Sequence, residues 1–157
     1  MTLADIVDPA TRSRMMGGIR SKNTKPELAL RKALHARGLR FRLHPANLPG
    51  KPDLTLPRFR TAIFVHGCFW HRHEGCQLAT MPASNSEFWS AKFKRNVERD
   101  AVVLQALLAV GWRVARVWEC ALRRQPVDLA ADALSSWLVS GGAMLELPIE
   151  PIRKVRV

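Results

Sequence analysis

Cys68, His73 and Cys76 stand as Cys-x4-His-x2-Cys, and the only other cysteine, Cys120, follows far along the chain. Thiolates and imidazole are the ligands that Zn²⁺ prefers, and four of them fill a tetrahedral structural site with no open position for catalysis. Such a staple suits Phe69 to Ser86, a stretch that loses hydrophobic periodicity and gathers His, Cys, Gly and Pro. His71 is an alternative fourth ligand to His73. The simpler reading makes Cys120 a core thiol and the histidines surface groups.

A second constellation is Asp53, directly after Pro52, with His66 and His71 on either side of Phe69 and Trp70. A carboxylate can hold Mg²⁺ beside a scissile phosphate, where the ion polarises a phosphoryl oxygen and acidifies water. Imidazole moves protons at neutral pH, taking one from water or giving one to a leaving oxygen. An isolated Pro-Asp after Gly reads as a turn; the nearby histidines point to chemistry. Phe69-Trp70 and Phe88-Trp89 are adjacent aromatic pairs, which can wedge between bases and kink a duplex or simply fill a core.

These groups need a scaffold. Thr24-Lys25-Pro26-Glu27 has the spacing of a capping box and Gly38 that of a stop, which predicts a helix over 25–37. Leu39, Phe41 and Leu43 alternate with polar residues and predict a strand; Asp53 to Leu56 and Thr61 to Val65 predict two more. A helical segment follows over 87–110, as one helix or two, then a strand over 112–118 and a helix after Pro126 that ends at Gly141-Gly142. The order implies a layered α/β domain with a mixed sheet. We expect a basic arm over 1–23, one domain over 24–140, and a tail over 141–157.

The chain has 157 residues, with 25 Lys plus Arg against 13 Asp plus Glu, for a net charge of +12. That balance favours a polyanionic partner, since neutralising phosphates releases counterions. Arg12, Arg14, Arg20 and Lys22 belong to an acid-free basic run that can follow a phosphate backbone. Composition near the globular average and the lack of a long apolar run argue against disordered and membrane classes. Acids rather than bases near the start argue against a secretory leader, so a cytoplasmic, nucleoid-associated protein is expected.

Five segments together resemble the very-short-patch mismatch repair endonucleases, a branch of the restriction-endonuclease-like PD-(D/E)xK superfamily. They are Ile19 to Glu27, Leu48-Pro49-Gly50-Lys51-Pro52-Asp53, Val65-His66-Gly67-Cys68-Phe69-Trp70-His71, Asn96-Val97-Glu98-Arg99-Asp100, and Gly111 through Val117-Trp118-Glu119-Cys120. The resemblance implies a three-layer fold, a central mixed β-sheet flanked by helices and stapled by a structural zinc on Cys68, His73, Cys76 and Cys120. It implies a Mg²⁺-dependent nick 5′ of the thymine in a T:G mismatch, the lesion left by deaminated 5-methylcytosine. Asp53 and the backbone carbonyl of Val65 would hold the Mg²⁺, with His66 and His71 near the scissile phosphate, Asp100 supporting His71, and Glu27 holding water beside the ion. Phe69, Trp70 and Trp89 match the family's aromatic wedge. Mismatched double-stranded DNA is the implied partner, with mismatch-repair proteins and a cytosine-5 methyltransferase as further ones, and a monomer suffices to nick one strand. The alternatives are a same-fold nuclease with a different, restriction-type DNA target and a non-catalytic zinc-containing DNA-binding module.

Overall fold

The computed structural model describes residues 22–150. Helix α1 spans Lys25–Ala36. Thr24 Oγ1 accepts from the Glu27 amide at 3.4 Å. Glu27 Oε2 in turn accepts from the Asn23 amide at 3.0 Å, one residue further back than in the usual capping box. The helix stops where Gly38 enters the left-handed region at φ +79°, as its position predicts.

Strands β1 (Arg42–Leu43), β2 (Leu54–Leu56) and β3 (Thr61–His66) follow. The alternation over 39–43 yields only two paired residues. Leu39 and Phe41 pack against the core without joining the sheet, whereas Leu43, inside the strand, is exposed. The period of two there reflects packing rather than ladder pairing. Helix α2 (Ser86–Ala109) is one continuous helix, and β4 spans Arg113–Trp118. Two elements escaped the sequence reading. The short helix α3 (Glu119–Arg123) carries Cys120 in its first turn, and β5 (Met144–Leu147) lies beyond Gly141-Gly142, in the segment read as tail. Between α3 and β5 lies the expected helix, α4 (Val127–Ser140).

The sheet is mixed, in the order β1-β2-β3-β4-β5: the first two pairings are antiparallel, and β3 with β4 and β4 with β5 are parallel. Ile63, Ala115, Val117 and Leu147 face α1 and α4 in the main core, while Ala62 and Val114 face Leu107 of α2. Helices therefore cover both faces. The β3-α2-β4 and β4-α4-β5 connections step the same way across the sheet with their helices on opposite faces, so they have opposite hands. One of the two departs from the strongly preferred right-handed crossover. Among the described residues no helix is long and apolar enough to cross a membrane.

Gly50 shows how the segment before β2 is held. Its φ is +73°, and a Cβ there would lie 2.3 Å from Cγ1 of Val103, so the loop rests directly on α2. Only glycine allows both the backbone conformation and the approach. This contact precedes Asp53 by three residues.

Candidate active site and cysteine cluster

Cys68, His73, Cys76 and Cys120 are all buried, and their ligand atoms lie within 4.8 Å of one another. His73 Nδ1 is 3.6 Å from Cys68 Sγ and 3.5 Å from Cys120 Sγ. Of the two histidines open for this place, His73 joins the cysteines and His71 lies elsewhere. The irregular loop makes the cluster through local amide bonds, His73 N to Cys68 O at 3.0 Å and Cys76 N to His73 O at 3.2 Å. Burial pushes the Cys68 thiol up and the Cys120 thiol up to about 11, while burial lowers His73 and keeps it a neutral imidazole. Three sulfurs and one neutral nitrogen, converging and dry, form a donor set that fits zinc, whose charge would favour the thiolates that burial opposes.

Trp118, at the end of β4, separates this cluster from the second one. Its ring stacks on His73 at 4.3 Å and 8° and meets His66 edge-on at 5.5 Å. Its indole N–H donates to Glu146 Oε1 of β5 at 2.6 Å, so the strand missed in the sequence anchors the partition.

His66 ends β3 and is buried; His71 follows in the loop. Their rings lie parallel, 3.8 Å apart at 5°. His71 Nδ1 is 2.7 Å from Asp100 Oδ2 on α2, and the three residues form one compact group. Burial, followed by the neighbouring His71 and Arg116 charges, lowers His66 well below the ordinary imidazole range. At neutral pH His66 is uncharged.

Asp53 stands one residue before β2, and its Oδ2 accepts from the Val65 amide at 2.7 Å. That bond fixes one carboxylate oxygen against the last turn of β3. Burial raises the Asp53 carboxyl from its ordinary 3.8 to about 7, and Glu27 adds to the rise. The Val65 hydrogen bond and the His71 and Arg31 charges act in the opposite direction. The antiparallel β2–β3 pairing brings the start of one strand beside the end of the other, which is how Asp53, Val65 and His66 meet.

Glu27, almost fully buried on α1, lies with Asp53 and His44 in a third group whose ligand atoms are within 4.8 Å of one another. Sequence reading included Glu27 and missed its neighbours. Arg31 binds Glu27 Oε1, and its Nη2 lies 2.7 Å from Asn23 Oδ1 and 3.0 Å from His44 Nε2. The i, i+4 spacing of Glu27 and Arg31 was the available signal; nothing in the sequence ties His44 to them.

Phe69, Trp70, Trp89 and Phe93 pack edge-on or tilted, with ring centroids 5.1 to 5.9 Å apart, and the exposed Phe88 joins through Trp89. Only Phe93 is fully buried, so the cluster is a surface feature beside the histidines rather than core. Lys92 lies over Trp70, 5.2 Å from its centroid. Asn96 Nδ2 donates to Trp70 O at 3.0 Å. Arg72 was also missed: it donates to the carbonyls of Phe69, Ala79 and Thr80 and stacks 4.1 Å over Phe93. Lys22 is exposed just before α1. Arg12, Arg14 and Arg20 lie outside the described residues.

Three comparisons agree with this arrangement. The profile of the family described as DNA mismatch endonuclease Vsr matches residues 4–77. The DNA mismatch endonuclease Vsr of Escherichia coli is 42% identical over 153 residues, covering 96% of this chain and 97% of that protein. The type II nicking enzyme V.XorIIP of Xanthomonas oryzae pv. oryzae is 49% identical over 120 residues, 76% of this chain and 88% of its own. The type II nicking enzyme V.NmeAIP of Neisseria meningitidis is 40% identical over 125 residues, 80% and 89% of the two chains. The identity to the E. coli protein runs through every element that supplies the clusters described above, and the chain belongs to the Vsr family of DNA endonucleases.

Proposed function

We propose that the chain nicks DNA 5′ of the thymine in a T:G mismatch, with Mg²⁺ as catalytic ion and zinc as a structural one, on a restriction-endonuclease-like fold. The observation that carries the reading is the convergence of Asp53, the His66–His71–Asp100 group and a half-exposed aromatic cluster at one end of β3. A DNA-binding module needs the basic surface and the aromatics. It has no need of a buried carboxyl beside two stacked imidazoles.

Asp53 and the Val65 carbonyl would hold the divalent ion, and oxygen donors of this kind suit Mg²⁺. When bound, the ion supplies a Lewis acid for the phosphoryl oxygen and charge neutralisation in the transition state. The chain does the rest. His71 directs Nδ1 to Asp100, which leaves Nε2 to take the proton from the attacking water while the carboxylate faces the ring that gains it. His66 stays neutral against that ring and leaves the single positive charge to His71. Cys68, His73, Cys76 and Cys120 would hold zinc and thereby the loop that carries His71. Phe69, Trp70 and Trp89 provide a wedge for a mispair, which unstacks more readily than a matched pair.

Relatives named as type II nicking enzymes stand beside the mismatch endonuclease, and a nicking enzyme attached to a restriction system is the second reading. Cleavage of strand-labelled T:G and matched C:G duplexes, with Mg²⁺ or EDTA, separates them. A Mg²⁺-dependent nick confined to the thymine strand of the T:G duplex supports the first reading. Equal cutting of both duplexes rejects the mismatch specificity and keeps a nuclease.

A further inference from the structure

Glu27 presents a problem that the single proposed Mg²⁺ does not solve. It is a carboxylate with 1% exposure, close to a second carboxylate, Asp53. Two acids in that position repel, and burial removes the water that would screen them. Nucleases often resolve this with a second divalent ion that both carboxylates share.

Here a side chain already stands in that place. Arg31 Nη2 binds Glu27 Oε1 and lies 2.7 Å from Asn23 Oδ1 and 3.0 Å from His44 Nε2. Three different donors of the kind that ligate cations, a carboxylate oxygen, an amide oxygen and an imidazole nitrogen, converge on one guanidinium nitrogen. His44 Nε2 is also 3.3 Å from Glu27 Oε1, so the donors are as close to each other as ligands of one ion. The Arg31 side chain is only 12% exposed, and it reaches the group from one turn along α1, so a rigid helix holds it. The Arg31 charge is also felt at Asp53, where it opposes the rise in the carboxyl.

We propose that the Arg31 guanidinium is a built-in cation that holds Glu27, Asn23 and His44 in place of a second divalent ion, so that the cleft takes one ion, on Asp53. Arg31 is then a positioning residue. It fixes Glu27 beside Asp53 and makes the site a one-ion site, because a second dication would have to displace a buried, hydrogen-bonded guanidinium. The inference rests on the reading of Asp53 as the ligand of a divalent ion.

The test is a Mn²⁺ titration of zinc-loaded protein without DNA, followed by electron paramagnetic resonance of the free ion. It is run on wild type, Asp53→Ala, Arg31→Lys, Arg31→Met and Arg31→Met/His44→Ala, each with its circular dichroism spectrum. Wild type and Arg31→Lys should bind one Mn²⁺ that Asp53→Ala abolishes. Arg31→Met should bind a second, because a carboxylate, an amide oxygen and an imidazole are left facing a vacated cation position; the double variant should return to one. Arg31→Gln replaces Arg31→Met if the latter does not fold. Two ions in wild type, or one in the folded Arg31→Met or Arg31→Gln protein, overturns the inference and leaves Asp53 as a ligand. Binding in wild type that Asp53→Ala leaves unchanged overturns the Asp53 reading itself.

Discussion

The imidazoles of His66 and His71 lie face to face, 3.8 Å apart and within 5° of parallel. Two protonated rings at that separation repel strongly in a partly buried site. The pair therefore carries one charge, and Asp100 at 2.7 Å from Nδ1 directs it to His71. Residues that act as one unit are not additive. We expect the His66→Ala/His71→Ala protein to cleave no more slowly than His71→Ala alone, measured as single-turnover nicking at saturating protein. Losses that multiply across the two sites would show independent roles.

Asp100→Asn isolates the charge from the geometry. The amide oxygen can still accept from Nδ1–H, so the ring keeps its orientation, but the carboxylate no longer faces the proton His71 takes up. Loss of such a partner slows a reaction by roughly 10²–10⁴-fold. The nicking rate should fall in that range while the DNA dissociation constant changes by less than about threefold in a gel-shift assay.

Asp53 gives a pH prediction with a definite sign. Burial raises its carboxyl from 3.8 to about 7, so between these values the folded protein holds a proton that the unfolded chain has lost. Folding stability of the metal-free protein then falls as pH rises from about 4 to about 7 and stays reduced above it. Asp53→Asn removes the buried charge and keeps an acceptor for the Val65 amide. In EDTA at pH 8 it should be more stable than wild type by roughly 1–3 kcal/mol in urea unfolding, less than the full shift implies because the group is partly exposed. The advantage should vanish near pH 4. The same carboxyl must ionise to hold a cation, so the half-saturating Mg²⁺ concentration for nicking should be about tenfold higher at pH 6 than at pH 8.

Much of the site was legible because its chemistry sits at recognisable local signals. Cys68, His73 and Cys76 lie within nine residues, Asp53 marks the start of a strand, and Glu27 occupies its capping-box position. What escaped depends on distance through the fold. His44 meets Glu27 only because β1 lies beside the start of α1, and Arg72 serves backbone carbonyls that no side-chain pattern announces. β5 was hidden by Gly141-Gly142, which do end α4 but sit directly before a strand that completes the sheet. Conversely, the alternation over 39–43 overstated β1, since half-burial against α1 and the core produces the same period as pairing.

The cysteine cluster should behave as a folding element. A structural site of this kind couples metal binding to folding, and burial works against thiolates unless a cation is present. Cys120→Ala removes a ligand supplied from the far side of β4. It should reduce zinc content from one per chain to near zero by atomic emission, lower the melting temperature by several degrees or more, and render the loop over 67–85 sensitive to protease. A variant with full stability and no zinc would show that the cluster is a set of core thiols.

Trp70 separates recognition from affinity. It is half-buried, packs on Phe69 and Trp89, and has Lys92 5.2 Å from its ring centre. If the cluster enters the duplex at the mispair, Trp70→Ala should weaken T:G nicking by roughly tenfold or more, since stacking on a base contributes about 1–3 kcal/mol. Binding to matched DNA, which depends on phosphate contacts, should change little. The ratio of T:G to C:G binding at fixed salt is the measurement, and an unchanged ratio would remove Trp70 from recognition.

Arg72 tests whether the loop is held by metal alone. Its guanidinium donates to the carbonyls of Phe69, Ala79 and Thr80 and lies 4.1 Å over the buried Phe93 ring. One planar fork thus ties together both ends of the irregular segment and its aromatic neighbour on α2. Lysine cannot reproduce this, because it is a point charge without the fork or the stacking plane. Charge-assisted hydrogen bonds contribute about 1.5–3 kcal/mol each when a partner would otherwise be left unsatisfied. Arg72→Lys should therefore destabilise the zinc-loaded protein by roughly 1–3 kcal/mol with its zinc retained. It should also slow nicking, because His71 is the preceding residue and shares the loop. Amide hydrogen exchange over 69–80 distinguishes the cases. Faster exchange with intact zinc places the restraint on Arg72, whereas unchanged exchange would assign it wholly to the cysteines.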